Sequence, residues 1–291
     1  MTTFNTYRDM SDSSFIIGKG RLSDQLTRSL YGDCSIHCCS CREILTQVNI
    51  VLPDKIDTVF FIGQITRRVA NSQDSYDQNL KIAQWIINHV PKHVNIIFTS
   101  SIDVFGADLQ LIEAQNVHLP FDFYSQSKSD SEHILSKYFN ISTLYLPGLF
   151  GHSINEKSIV SAMLSTLVRQ GGIFLTNPNI VRATISYYEC SKILEGIANY
   201  VQFHRTDPKV SRFLPTTNSY SLNQIANIVI KAFCNLKKQR PENISIGQYS
   251  EDTSQGRANI QILAGNTDKF ISYEHQPLET AIMRFISKCL A

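Results

Sequence analysis

Three observations predict a doubly wound α/β fold, a parallel sheet (Rossmann type) with helices on both faces and a smaller C-terminal lobe. Short apolar runs alternate with helix-like segments through the first half, the order that builds a parallel sheet. One of those runs, Asp57–Gly63, is continuously apolar, as a strand covered on both faces must be. And Gly18-Lys19-Gly20-Arg21-Leu22-Ser23 stands where a strand would turn into a helix, the setting of a phosphate-binding glycine loop.

Taken in order, Ser14–Ile17 reads as the first strand. Leu22–Tyr31 reads as a helix, with Leu22, Leu26 and Leu30 on one face. Ser35–Ser40 is a second strand and Asp57–Gly63 a third. Tyr76–His89 is a helix, and Val94–Ser100 a buried strand that ends in polar Thr99-Ser100-Ser101. Ser125–Phe139 is a helix and Ser142–Leu146 a strand. In the second half Ser158–Arg169 is helical, followed by Gly171-Gly172. Ala183–Tyr188 is a strand, and Ser191–Val201 a helix. Ser221–Lys231 is a helix capped by Ser219 or Ser221, and Pro277–Cys289 a terminal helix with proline near its first turn. Lys237-Lys238-Gln239-Arg240 reads as a solvated helix end. The expected division is a dinucleotide-binding domain over 1–155, with a returning strand near 183–188 inside a returning segment near 183–205. A smaller, discontinuous substrate lobe takes up 156–291.

Composition sets the outer bounds. A chain of 291 residues, 43% apolar and 18% charged, buries a large core. A formal charge of +2 gives no strong attraction to nucleic acid or to a membrane surface, and no apolar stretch reaches membrane-spanning length. Met1–Ser14 is polar and lacks the apolar core of a signal peptide, so a cytoplasmic location is expected. Seven cysteines, an odd count, argue against a full disulfide framework. Cys34, Cys38, Cys39 and Cys41 cluster around His37, but their spacing matches no zinc pattern. They are expected to fill core positions of a short strand over Ser35–Cys41, with no metal. Cys190, Cys234 and Cys289 are expected as buried, reduced thiols.

The residues that carry chemistry fall at predicted strand ends. In the glycine loop Gly18 makes the tight turn, Gly20 lets a pyrophosphate approach the backbone, and the helix start supplies N–H groups. The third position is Ser23, small but neither Gly nor Ala. At the end of the second strand an acidic residue would select NAD and an arginine NADP. Cys39-Ser40-Cys41-Arg42-Glu43 offers Ser40 and Arg42, which favours NADP(H) over NAD(H), and Glu43 keeps NAD open. Lys19 and Arg21 are further candidates for a phosphate. Tyr124 and Lys128 are four apart and share one helix face. An ammonium beside a phenol favours the phenolate, which suits an acid/base for a carbonyl or an alcohol.

Together these motifs resemble the extended short-chain dehydrogenase/reductase group, the epimerase/dehydratase type that acts on nucleotide sugars. The resemblance runs from Ser14 to Leu290: Ser100-Ser101 before Val104-Phe105-Gly106, Tyr124 with Lys128 and Glu132, Asn79, Arg182 before Ile185–Glu189, and Asn266-Thr267-Asp268-Lys269. It implies that Tyr124 is the acid/base, that Lys128 lowers its pKa and holds the nicotinamide ribose, and that Ser101 hydrogen-bonds the substrate oxygen. It places Gly18, Gly20, Arg21, Leu22, Ser23, Ser40, Arg42, Gly63, Asn79, Ser100 and Pro147 around the cofactor, and Asp103, Gly148, Arg182 and Arg257 around the substrate. The departures narrow the reaction. Ile102 stands where the dehydratases carry an aspartate, so dehydration is not expected, and Asp103 reads as a turn residue rather than a base. Tyr145 and Gly148 stand where the epimerases carry an arginine and an asparagine. The resulting expectation is an NADPH-dependent reductase of a keto group on a nucleotide-activated sugar, a 4-keto-6-deoxyhexose in cell-surface polysaccharide or deoxysugar biosynthesis. An epimerase with retained NAD, and a cofactor-binding regulatory protein on the same fold, stay open. A homodimer through the helices near 76–89 and 125–139 is also implied.

Overall fold

The structure, a computed structural model, describes residues 14–30, 36–67, 69–107, 111–204, 210–217, 219–238, 244–248, 261–262, 265–271, 273 and 275–290. In chain order the strands are β1 (Ser14–Ile17), β2 (His37–Cys39), β3 (Thr58–Phe61), β4 (Asn95–Ser101), β5 (Leu111–Ile112), β6 (Ile141–Leu146), β7 (Gly148–Phe150), β8 (Ile173–Leu175), β9 (Val181–Ser186), β10 (Val210–Phe213), β11 (Ser219–Ser221), β12 (Ile246–Gln248) and β13 (Gln261–Ile262). The helices are α1 (Arg21–Leu30), α2 (Cys41–Leu45), α3 (Gln73–His89), α4 (Phe123–Ser136), α5 (Ile159–Gln170), α6 (Tyr187–Phe203), α7 (Leu222–Lys237) and α8 (Leu278–Leu290).

Six strands form the main sheet in the order β10-β6-β4-β3-β1-β2, and every pairing in it is parallel. Apolar residues on both faces explain why the strands read as continuous runs. In β1, Phe15 and Ile17 enter a core with α3, while Ile16 enters a second core with α1 and α6. Val59 and Phe61 of β3 divide from Phe60 in the same way, as do Ile96 and Phe98 of β4 from Ile97. Burying each of these large side chains stabilises the fold by about 1.5–3 kcal/mol. A third core joins α5, α7, α8 and β8 away from the sheet.

From β1 the chain goes to β2 on one side and then crosses to β3 on the other. The two crossovers diverge between β1 and β3, and the crevice outside their carboxyl ends is where a ligand fits. The strand expected to return near 183–188 does not join the main sheet. It is β9, in a separate three-stranded sheet with β7 and β11. The strand that does return is β10, which pairs with β6. Its four residues, Val210–Phe213, are too short a run to stand out in the sequence.

Caps set the helix starts. α3 begins three residues before the expected Tyr76, because Ser72 and Ser75 form a reciprocal capping box. The second strand is shorter than expected for a related reason. Ser40 caps α2 in a box with Glu43, so the chain turns at Ser40 and Cys41 already belongs to the helix. The cysteine cluster is therefore not a buried strand: Cys38 is exposed, Cys39 buried and Cys41 partly buried, while Cys34 lies outside the described residues. Among the described residues no group of histidine, cysteine and carboxylate side chains is placed to hold a metal. Nor is any described helix long and apolar enough to cross a membrane.

Candidate active site

A cleft of about 750 Å³ opens over the carboxyl ends of β1, β3, β4 and β6. Its floor is built by glycine. Gly18 leaves β1 with φ +132°, a conformation that side chains with a Cβ rarely adopt. Its N–H donates to the Cys39 carbonyl at 2.7 Å, and that of Gly63 to the Ile17 carbonyl at 2.8 Å. A Cβ on Gly18 would lie 2.7 Å from the Gly63 nitrogen, and one on Gly63 would lie 2.6 Å from the Gly18 Cα. The two loops thus touch through bare backbone. Gly20 differs, since a Cβ there would meet no protein atom within 4 Å. Open space above Gly20 suits a ligand's approach. Ser23 serves as the third small residue: it is buried, and its hydroxyl accepts from the Gly20 N–H and donates to the Gly20 carbonyl, both at 2.6 Å.

Of the expected cofactor residues, Gly18, Gly20, Arg21, Leu22, Ser23, Ser40, Gly63, Ser100 and Pro147 line this cleft. Arg42 does not; it is exposed on α2. Asn79 does not either. It is buried beneath the loop after β3, accepting from the Ile65 N–H at 2.8 Å and donating to the Ile65 carbonyl at 3.1 Å and to Ser127 Oγ at 3.0 Å. It fixes the loop to α4 rather than facing a ligand. Glu43 receives the Ser40 N–H at 2.6 Å, the Ser40 hydroxyl at 2.8 Å and Lys19 Nζ at 2.9 Å. Those donors hold its carboxyl down at about 2. The Ser100 hydroxyl is buried with no hydrogen-bond partner among the described residues.

The acid/base group sits deeper. α4 starts at Asp122, whose side chain accepts from the Ser125 N–H in a capping box. This start places Tyr124 and Lys128 on the cleft wall. Ser101 ends β4, caps the short turn Ile102–Phe105 and stands beside the Tyr124 phenol. Asp103 also lines the cleft and accepts from Ser101 Oγ at 3.1 Å. Gly148, Arg182 and Tyr187 also line the cleft, with Arg182 carried by β9. Arg257 lies outside the described residues.

The electrostatics differ from the expectation at one point. The Tyr124 phenol is pushed up to about 12, first by burial and then by Asp103, while Ser101 and Arg67 pull it down. Lys128 approaches the same ring but is held by a backbone carbonyl. Its ammonium donates to the Thr99 carbonyl at 2.8 Å and lies 5.9 Å from the Tyr124 ring centre. Burial lowers Lys128 to about 7. At neutral pH Tyr124 is therefore a phenol with a proton to give.

Sequence reasoning missed Arg67, which lines the cleft beside Tyr124. The available signal was its place just past the carboxyl end of β3, level with Gly63 and Ser100. Tyr145, aligned with an epimerase arginine, is fully buried and donates to both Glu132 oxygens, at 2.9 and 2.8 Å. It belongs to a cluster with His118 and Arg212 behind the site.

No family model matches the chain, and no curated protein matches it. Solved structures do. L-threonine dehydrogenase from Phytophthora infestans is 14% identical with a TM-score of 0.73, over 95% of this chain and 98% of that one. UDP-N-acetylglucosamine 4-epimerase from Methanobrevibacter ruminantium M1, in complex with UDP-N-acetylmuramic acid, is 15% identical with a TM-score of 0.72, over 96% and 99%. dTDP-glucose 4,6-dehydratase from Bacillus anthracis, in complex with NAD, is 10% identical with a TM-score of 0.67, over 95% and 97%. At these identities the likeness establishes a shared fold along nearly the whole chain: the chain has the Rossmann-type architecture of these dehydrogenases, epimerases and dehydratases.

Proposed function

We propose that the chain is an NADPH-dependent reductase of a keto group on a nucleotide-linked sugar, a 4-keto-6-deoxyhexose. One observation carries the reading: four cationic side chains, Lys19, Arg21, Arg67 and Arg182, together with Lys128 and one carboxylate, Asp103, line a single cleft that also holds Ser101 and Tyr124. Such a surface suits a ligand with several phosphates beside an acid/base phenol. The bare backbone at Gly18 and Gly63, the open space at Gly20 and the unpartnered Ser100 hydroxyl fit a dinucleotide.

Gly18, Gly20 and the start of α1 would hold the pyrophosphate, with Lys19 and Ser40, rather than Arg42, at the adenosine ribose. Their charge and hydroxyl support NADP(H) over NAD(H). When bound, the dinucleotide supplies a hydride to the carbonyl carbon and is left oxidised. Tyr124 gives its proton to the carbonyl oxygen, which becomes the alcohol, and Ser101 hydrogen-bonds that oxygen. A phenol held protonated suits the reducing direction. Arg182 faces the substrate from β9, and the third core, with α5, α7 and α8, supports the lobe assigned to the nucleotide sugar. A homodimer through α3 and α4 is proposed on the same footing, to be read by sedimentation. The test of the reaction is Tyr124→Phe, assayed with NADPH on nucleotide-linked 4-keto-6-deoxyhexoses. Turnover is expected to vanish while NADPH still binds; near-normal turnover refutes the assignment.

A further inference from the structure

The loop after β3 brings one guanidinium between two carboxylates and a phenol. Arg67 Nη1 donates to Asp103 Oδ2 at 2.9 Å, and Arg67 Nε donates to Asp122 Oδ2. Its carbon lies 5.1 Å from the centre of the Tyr124 ring and 5.0 Å from that of Phe121. All three charged side chains are largely buried, with Arg67 at 21%, Asp103 at 11% and Asp122 at 13% exposure, so water screens them little. Asp122 does two jobs, because the same side chain caps α4 two residues before Tyr124. Asp103 does two as well, since it also receives the Ser101 hydroxyl.

We propose that Arg67 is a positioning residue for Tyr124: its guanidinium holds Asp103 and Asp122 and lies against the phenol ring, so that the two carboxylates do not suppress ionisation of the phenol. The proposal deepens the reading of Tyr124 as the acid/base and rests on it. The charged groups that face the phenol come from four elements. Arg67 comes from the loop after β3, and Asp103 from the turn after β4. Asp122 and Lys128 come from α4, and Arg182, from β9, faces Asp103. Asp103 and Asp122 oppose phenolate; Arg67 offsets them, while Lys128 is engaged by Thr99. Without Arg67, Asp122 would lose its guanidinium and Asp103 would keep Arg182 alone, with both carboxylates beside the phenol. A tyrosine that must give up its proton and regain it at each turnover would then regain it readily and lose it with difficulty. The loss would fall on the step in which the phenol gives its proton to the carbonyl oxygen.

The test needs no substrate, so its failure is separable from failure of the proposed reaction. Difluorotyrosine is introduced at position 124, where its phenol ionises at a pH at which the protein stays folded, and its titration is followed by fluorine NMR. Arg67→Met is expected to move the titration up by about one pH unit or more, the effect of removing an opposite charge at this range. Arg67→Lys restores the charge without the fork and is expected to recover part of that shift. Asp103→Asn is expected to move the titration down. If Arg67→Met folds and titrates at or below the parent protein, the proposal is overturned. Should Arg67→Met not fold, Asp103→Asn and Arg67→Lys decide: an Asp103→Asn titration at or above the parent, or an Arg67→Lys titration below it, overturns the proposal equally.

Discussion

Replacing Gly18 with alanine tests the floor of the cleft. The new Cβ would lie 2.7 Å from the Gly63 nitrogen and 2.8 Å from its Cα, and both are backbone atoms that cannot swing aside. Alanine would also have to adopt φ +132°. Holding a residue with a Cβ in such a region costs about 1–3 kcal/mol, and forcing extra volume into a packed contact costs about 1–3 kcal/mol more. The expected loss is therefore roughly 2–6 kcal/mol in a urea unfolding experiment, accompanied by loss of dinucleotide binding. Gly20→Ala is the control. Its Cβ meets no protein atom within 4 Å, so stability should stay within about 0.5 kcal/mol. Binding should still weaken about tenfold or more, because the methyl occupies the space through which the pyrophosphate reaches the backbone. A Gly18→Ala protein as stable as the parent, with unchanged affinity, refutes the packing argument. A Gly20→Ala protein with unchanged affinity refutes the placement of the pyrophosphate.

Three further predictions follow from buried or bridged charges. Lys128 sits at about 7 in the fold because burial disfavours its ammonium. Below that pH folded and unfolded chains both carry the proton, and the fold bears the full cost of burying it. Between about 7 and the ordinary lysine range the unfolded chain keeps a proton that the fold has shed, so stability rises with pH. Lys128→Met should therefore gain most over the parent below pH 7 and lose that advantage as pH rises, read from urea midpoints; an advantage that grows with pH contradicts the assignment. Glu43→Gln frees Lys19 for a 2′-phosphate, and should widen the preference for NADPH over NADH about two- to fivefold by equilibrium titration. Tyr145→Phe removes the donor shared by both Glu132 oxygens, and should cost about 1–3 kcal/mol in urea unfolding without altering NADPH affinity.

The main sheet was legible because its central strands are apolar on both faces, and Val59-Phe60-Phe61 and Ile96-Ile97-Phe98 admit no other reading. The glycine loop and the Tyr124/Lys128 pair were legible because local spacing alone places them. Longer-range features were not. β10 is four residues long and pairs with β6 only through the tertiary fold. The end of β2 turned on a single cap, Ser40 with Glu43, which removed Arg42 from the cleft and left Lys19 in it. Asn79 carries no local sign of whether it faces a ligand or clamps a loop; its bonds to Ile65 and Ser127 decide that. Arg67 needs three segments brought together, the loop after β3, the turn after β4 and the start of α4, before its partners are visible. The same gathering explains why the spacing of Tyr124 and Lys128 gave their shared face but not the buried Asp103 that helps to raise the phenol.

The most direct test of the account is equilibrium titration of the purified protein with NADPH and with NADH, after denaturing release to identify any dinucleotide it carries. The account predicts protein free of dinucleotide that binds NADPH about tenfold or more tightly than NADH, a difference of about 1.4 kcal/mol. Tightly retained NAD would move the reaction to an epimerase on the same residues and contradict the reductase. Binding of neither dinucleotide would contradict the enzyme reading of the cleft itself.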